Sequence, residues 1–93
     1  MRTRDVYATL LELVPPLVED RAHLRATWSE RADPVWRRGE DWVRVEVITT
    51  QELLLTAGRG DETLATHTQK LTGEIEPIAR DIANLLNGAG VSS

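Results

Sequence analysis

Arginine and tryptophan side chains are concentrated between residues 21 and 42, where together they could bind an anion or stack on a planar group. Acidic residues are interleaved among them, so we expect many of the arginines to form solvated surface salt bridges. Because tryptophan and arginine also dominate binding hot spots, this region is the most suitable candidate for a ligand or partner patch. The residues of the predicted patch are Arg21, Arg25, Trp28, Trp36, Arg37, Arg38 and Trp42.

The two histidines are candidate metal ligands. His23 follows Asp20 at the spacing of helix-borne carboxylate–histidine ligands, and His67 is the only other histidine in the chain. On long parallel helices the two histidines would be offset by roughly 20 Å along the helix axes. We therefore predict a solvated acidic patch around His23, with no metal and no other cofactor.

Composition restricts the remaining function classes. The chain has no cysteine, no glycine-rich phosphate loop and no arguable catalytic triad, so no catalytic residue is predicted and a non-enzymatic role is favoured. The net charge of −4 disfavours nucleic-acid binding. The absence of a long apolar run or a signal peptide predicts a cytoplasmic protein without a membrane partner, with signal-independent export as the alternative. Ten arginines against one lysine are typical of a GC-rich bacterial or phage genome.

Hydrophobic periodicity indicates three helical segments, at about residues 4–31, 34–57 and 62–87. The first has apolar residues at three- and four-residue steps, interrupted by Pro15-Pro16, where we expect a kink. The third has a heptad seam formed by Leu64, Thr68, Leu71, Ile75, Ile78, Ile82 and Leu85. These segments predict an all-α fold, an up-down-up three-helix bundle with a proline kink in the first helix. Residues 1–90 would form a single helical domain, followed by a disordered tail at 91–93.

The second segment has two interpretations. Apolar and polar residues alternate from Trp42 to Ile48, which is typical of a strand. A lone strand needs a partner, however, and no second convincing strand is evident in the sequence. A helix is therefore favoured. The alternative is an α+β fold in which an extended strand around 42–48 pairs across a dimer.

A helical second segment would leave a spare apolar stripe, which we interpret as a partner interface. This predicts a small acidic helical module for protein–protein interaction or assembly, such as a phage, secretion or adaptor component. It would self-associate or dock on a larger protein. The alternative is a small helical-bundle enzyme or anionic-ligand binder that uses the arginines and tryptophans near the first interhelical turn. The predicted interface residues are Val45, Ile48 and Leu55, with a weaker contribution from Leu11 and Val18.

Overall fold

The computed structural model describes residues 3–29 and 32–88, and its main feature is a five-stranded antiparallel sheet. The strands lie in the order β1-β2-β3-β4-β5, so each strand pairs with its neighbour in sequence. Helix α1 precedes the sheet and helix α2 follows it. The elements are α1 (Thr3–Leu13), β1 (Leu24–Ser29), β2 (Ala32–Arg38), β3 (Asp41–Thr49), β4 (Glu52–Arg59), β5 (Glu62–Lys70) and α2 (Glu76–Leu86), with 3₁₀ turns at Pro15–Leu17 and Arg21–His23.

The predicted all-α three-helix bundle is therefore wrong in all three segments. In the first, helix α1 ends at Leu13 and the chain enters a 3₁₀ turn at Pro15–Leu17 instead of kinking and continuing as a helix. A proline lacks the backbone N–H that an α-helix interior needs, so consecutive prolines end the helix. In the third segment, only the part from Glu76 onward is helical, because its first part forms strand β5.

The second segment forms strands β2, β3 and β4 rather than a helix. The strand that the alternative interpretation placed at 42–48 agrees with β3. Its predicted pairing across a dimer does not occur, because β3 is the central strand and pairs with β2 on one side and β4 on the other. The strands that pair with β3 are the ones that precede and follow it in the sequence.

Tight hairpin loops produce this meander. Gly39 and Gly60 are each the first residue of a two-residue loop, with φ of +63° and +58°. The residues that follow them, Glu40 and Asp61, do not have positive φ. A positive φ at the first loop position only is the type II′ pattern, whose twist matches that of paired strands and which glycine adopts without strain.

The core lies between the two helices and one face of the sheet. Its strand residues alternate along β3 and β4, as expected when one face of a sheet is buried. The predicted tail at 91–93 lies outside the described residues. Buried apolar residues of this core are Val6, Tyr7, Leu10, Val14, Val18, Trp36, Val43, Val45, Leu53, Leu55, Ile75, Ile78, Ala79, Ile82, Ala83 and Leu86.

The opposite side of the sheet, which we call the open face, is not covered by either helix. On β3 its residues Arg44 and Glu46 are exposed, whereas Val43 and Val45 on the helix side are buried. A chain of this length can supply two short helices, which are enough to cover only one face of a five-stranded sheet. Any function that uses the sheet surface therefore has the open face available.

Candidate functional site

Three arginines stand together on the open face, and we call Arg25, Arg37 and Arg44 the arginine patch. Arg25 on β1 lies directly opposite Arg37 on β2. Arg37 in turn lies opposite Trp42 on β3, and Arg44 is two residues further along the same strand. Side chains at alternate positions of a strand share a face, so the sheet register brings these side chains to one surface.

The arginines of this patch are exposed, and within residues 3–29 and 32–88 none of them has a salt bridge or a side-chain hydrogen bond. Other arginines of the chain do have such partners. Arg59 Nε donates to Asp41 Oδ1 at 2.9 Å, and this bond raises the pKa of Arg59. Like charges directly opposite on neighbouring strands destabilise a sheet. The Arg25–Arg37 pair therefore concentrates positive charge that an anion would neutralise.

Trp42 forms an apolar neighbour of the patch. Its indole lies over Gly58 on β4, where any Cβ would overlap the ring and the backbone carbonyl of Glu62. Its Nε1 donates to the carbonyl oxygen of Gly60 at 2.9 Å. Glycine at position 58 thus leaves the space in which the indole lies against the sheet. A depression of about 220 Å³ beside it is lined by Val35, Arg37, Trp42, Arg44, Gly60 and Asp61.

A larger open cleft of about 670 Å³ lies where β1 begins and β2 ends. His23 at its margin lies 2.9 Å from Asp20, measured from Nδ1 to Oδ2. Arg38 donates to the carbonyl oxygen of Glu19 at 3.0 Å, so its guanidinium already has a partner. The cleft is lined by Asp20, Ala22, His23, Arg25, Arg37, Arg38 and Gly39.

The arginine–tryptophan patch predicted from sequence is divided by the fold. Arg25, Arg37 and Trp42 meet on the open face, and Arg38 is on the other side of the sheet because it follows Arg37 in the strand. Arg21 is exposed in the second 3₁₀ turn.

The other two predicted tryptophans lie on the helix side of the sheet. Trp36 is fully buried in the core. Trp28 packs edge-on against Tyr7 of α1, with ring centroids 6.2 Å apart. Arg44, which sequence reasoning did not include, completes the patch. The signal for it was the alternation along 42–48, which places Arg44 on the same face as Trp42 once that segment is read as a strand.

The predicted interface residues do not form a surface stripe, because the helix that would have aligned them is absent. Val45, Leu55 and Val18 are buried in the core. Leu11 is partly buried against that core. Ile48 is 52% exposed and lies at an irregularity in the β3–β4 pairing.

The histidines do not converge with other ligands. His67 lies on β5 opposite Leu55, on the helix side of the sheet, whereas His23 precedes β1. In the described part of the chain, no group of three histidine or acidic residues is placed to hold a metal ion.

Comparison with known proteins adds no further assignment. No family model matches the chain, and no curated protein or solved structure matches it significantly. None of the helices in the described ranges is both long and apolar enough to cross a membrane. The arrangement of side chains on the open face is therefore the basis for a functional proposal.

Proposed function

We propose that this protein is a binding module whose open face holds an acidic segment of another protein. The observation that carries the proposal is the arginine patch, in which Arg25, Arg37 and Arg44 are exposed and have no salt bridge within the described residues. The proposed role is still protein–protein interaction, as expected from the sequence, but the binding surface is a sheet face and not a helix.

The chemistry of the patch favours carboxylates. A guanidinium offers a planar fork of donors that matches a carboxylate in two parallel hydrogen bonds. Arg37 and Arg44 are diagonal neighbours on adjacent strands, which corresponds to a Cα separation of about 7–8 Å. Alternate residues of an extended chain are about 7 Å apart. An extended segment with acidic residues at alternate positions therefore fits the spacing of these arginines.

The shape and charge of the molecule favour a protein segment over nucleic acid. The patch lies on an open surface with Trp42 and Val35 beside it, so a partner would contact apolar as well as charged groups. The chain as a whole carries a net charge of −4, and Asp61 adjoins the patch. Nucleic-acid affinity depends on neutralising many phosphates, whereas a short acidic segment needs only the few charge-assisted hydrogen bonds that three arginines can donate.

A peptide-binding measurement tests the proposal. The probe is a fluorescein-labelled peptide of alternating glutamate and serine, titrated with protein at low salt and followed by fluorescence anisotropy. Arg37→Gln and Arg44→Gln should each weaken binding roughly tenfold, since a hydrogen bond to a charged group contributes about 1.5–3 kcal/mol. Arg80→Gln is the matched control, because Arg80 is paired with Glu76 on α2 at 2.7 Å and lies away from the open face.

Two outcomes would overturn the proposal. One is equal peptide affinity for the Arg80→Gln control and a variant with all three patch arginines replaced by glutamine, both confirmed as folded by circular dichroism. The other is tighter binding to a single-stranded oligonucleotide than to the acidic peptide at the same salt concentration, which would identify the patch as a phosphate site.

A further inference from the structure

Strand β5 is an edge strand with regularly spaced, unused backbone groups. The N–H of Leu71 donates to the carbonyl of Gln51 at 2.7 Å, in the register that pairs β4 with β5. In an antiparallel pair only alternate residues bond to the neighbouring strand. His67 and Gln69 therefore bond to β4, and the backbone groups of the residues between them point away from the sheet. The outward-pointing residues are Thr66, Thr68 and Lys70.

Between the bulge near its start and Lys70 at its end, this edge lacks the features by which proteins usually block strand addition. From Ala65 to Gln69 it contains no proline and no lysine, and the side chains of Thr66 and Thr68 are exposed. Leu64, at the bulge where β5 begins, is 60% exposed. The opposite edge, β1, is shorter and its pairing is irregular near Ser29. Of the two edges, β5 is the more suited to accept another strand.

We propose that two copies of this chain associate by antiparallel pairing of their β5 strands. Self-complementarity favours a second copy over an unrelated strand, because antiparallel β5–β5 pairing can set the outward Thr66 of one copy against Thr68 of the other. Strand β5 also begins at the acidic Glu62 and ends at the basic Lys70. Antiparallel self-pairing brings the acidic start of each strand next to the basic end of the other. This inference is independent of the proposed function.

The outward backbone groups also restrict the register. Each outward-pointing residue must face another outward-pointing residue, and the register centred on the flat part of the strand sets Thr66 of one copy opposite Thr68 of the other. This register uses the whole flat part of the strand and aligns threonines, which pair well across antiparallel strands. A two-fold axis perpendicular to the sheet then relates the copies. The result is one ten-stranded sheet with both open faces on the same side.

The first test is the solution mass of the full chain by light scattering and sedimentation over a concentration series. The wild-type protein should dimerise, and Thr68→Pro should shift the equilibrium to monomer. Proline removes an outward N–H that the β4–β5 pairing does not use, so the sheet within the chain is retained. Thr68→Val keeps that N–H and the side-chain shape, and this matched control should dimerise like the wild type.

Amide hydrogen exchange in the wild-type protein gives a readout that does not depend on a variant folding. At low concentration the amides of Thr66, Thr68 and Lys70 should exchange rapidly, whereas His67 and Gln69 should be protected. At concentrations where the mass is that of a dimer, Thr66 and Thr68 should be protected as well. A monomer at every concentration up to about 1 mM would overturn the proposal. So would a dimer in which the amides of Thr66 and Thr68 still exchange rapidly.

Discussion

The hydroxyl of Tyr7 forms a hydrogen bond that joins helix α1 to β3, the central strand of the sheet. The paired residues of β2 and β3 extend only as far as Val35 and Arg44, which leaves the N–H of Val47 without a partner on β2. Tyr7 Oη accepts a hydrogen bond from this N–H at 2.9 Å and donates one to Asp33 Oδ1 at 3.4 Å. The side chain thus replaces a missing strand contact. Burial raises the pKa of Tyr7 above its usual 10.0, and the nearby Asp33 carboxylate adds to this effect, although the bond from Val47 opposes it.

Replacing Tyr7 with phenylalanine should lower the free energy of unfolding by about 1–3 kcal/mol, because the partly buried Val47 N–H then loses its acceptor. The wild-type protein should also lose stability above pH 10. The raised pKa means that the folded state holds the phenolic proton while the unfolded state releases it, so unfolding becomes easier as the pH rises. Urea unfolding at pH 8 and at pH 10.5 measures both effects. Parallel losses in the wild type and in Tyr7→Phe would contradict the assignment of this pH dependence to Tyr7.

The residue types of the candidate site were predictable, but their grouping was not. Arg37 and Arg38 are identical in chemistry and adjacent in sequence, yet the strand places them on opposite faces. Trp36 and Trp42 are separated in the same way, one in the core and one on the open face. A strand has a period of two residues and a helix a period of 3.6, so the two elements group the same side chains on different surfaces. An error in the element type therefore changes which residues form the site.

At the level of elements, two glycine-containing hairpin loops decide the fold. Gly60-Asp61 separates the second and third predicted helical segments, yet it forms a two-residue loop that joins two strands. The heptad spacing of Leu64, Thr68 and Leu71 arose by coincidence within a segment that alternates threonine with other residues. Helix α2, from Glu76, is the part of the third predicted helix that forms, and its buried residues follow helical spacing.

Leu55 and Ile48 would lie on one apolar stripe of a helix, but in the sheet a substitution should affect folding very differently at the two positions. Leu55→Asp should abolish cooperative folding, because it buries a carboxylate in a core position that is fully inaccessible to solvent. Ile48→Asp should change the free energy of unfolding by no more than about 0.5 kcal/mol, because the Ile48 side chain is largely exposed. Thermal unfolding followed by circular dichroism compares them. Equal destabilisation by the two substitutions would contradict the position of Ile48 at the surface.

On the scale of the whole molecule, the fold separates stability from binding. The helices and one face of the sheet form the core, so the exposed arginines of the open face can be replaced without disturbing it. If β5 pairs with β5 of a second copy, the two open faces become one surface with two arginine patches. Seven strand spacings of about 4.8 Å separate β2 of one copy from β2 of the other. The two arginine patches are therefore roughly 35 Å apart.

This geometry predicts avidity for a partner that carries two acidic segments. A peptide with two glutamate-rich segments joined by a flexible linker long enough to span that distance should bind the wild-type dimer at least tenfold more tightly than a single segment does. In Thr68→Pro the advantage should disappear, whereas the affinity for the single segment should be unchanged because the arginine patch is intact. Isothermal titration calorimetry with both peptides and both proteins measures these differences. An equal gain for wild type and Thr68→Pro would show that the two patches do not act together, even if each binds acidic segments.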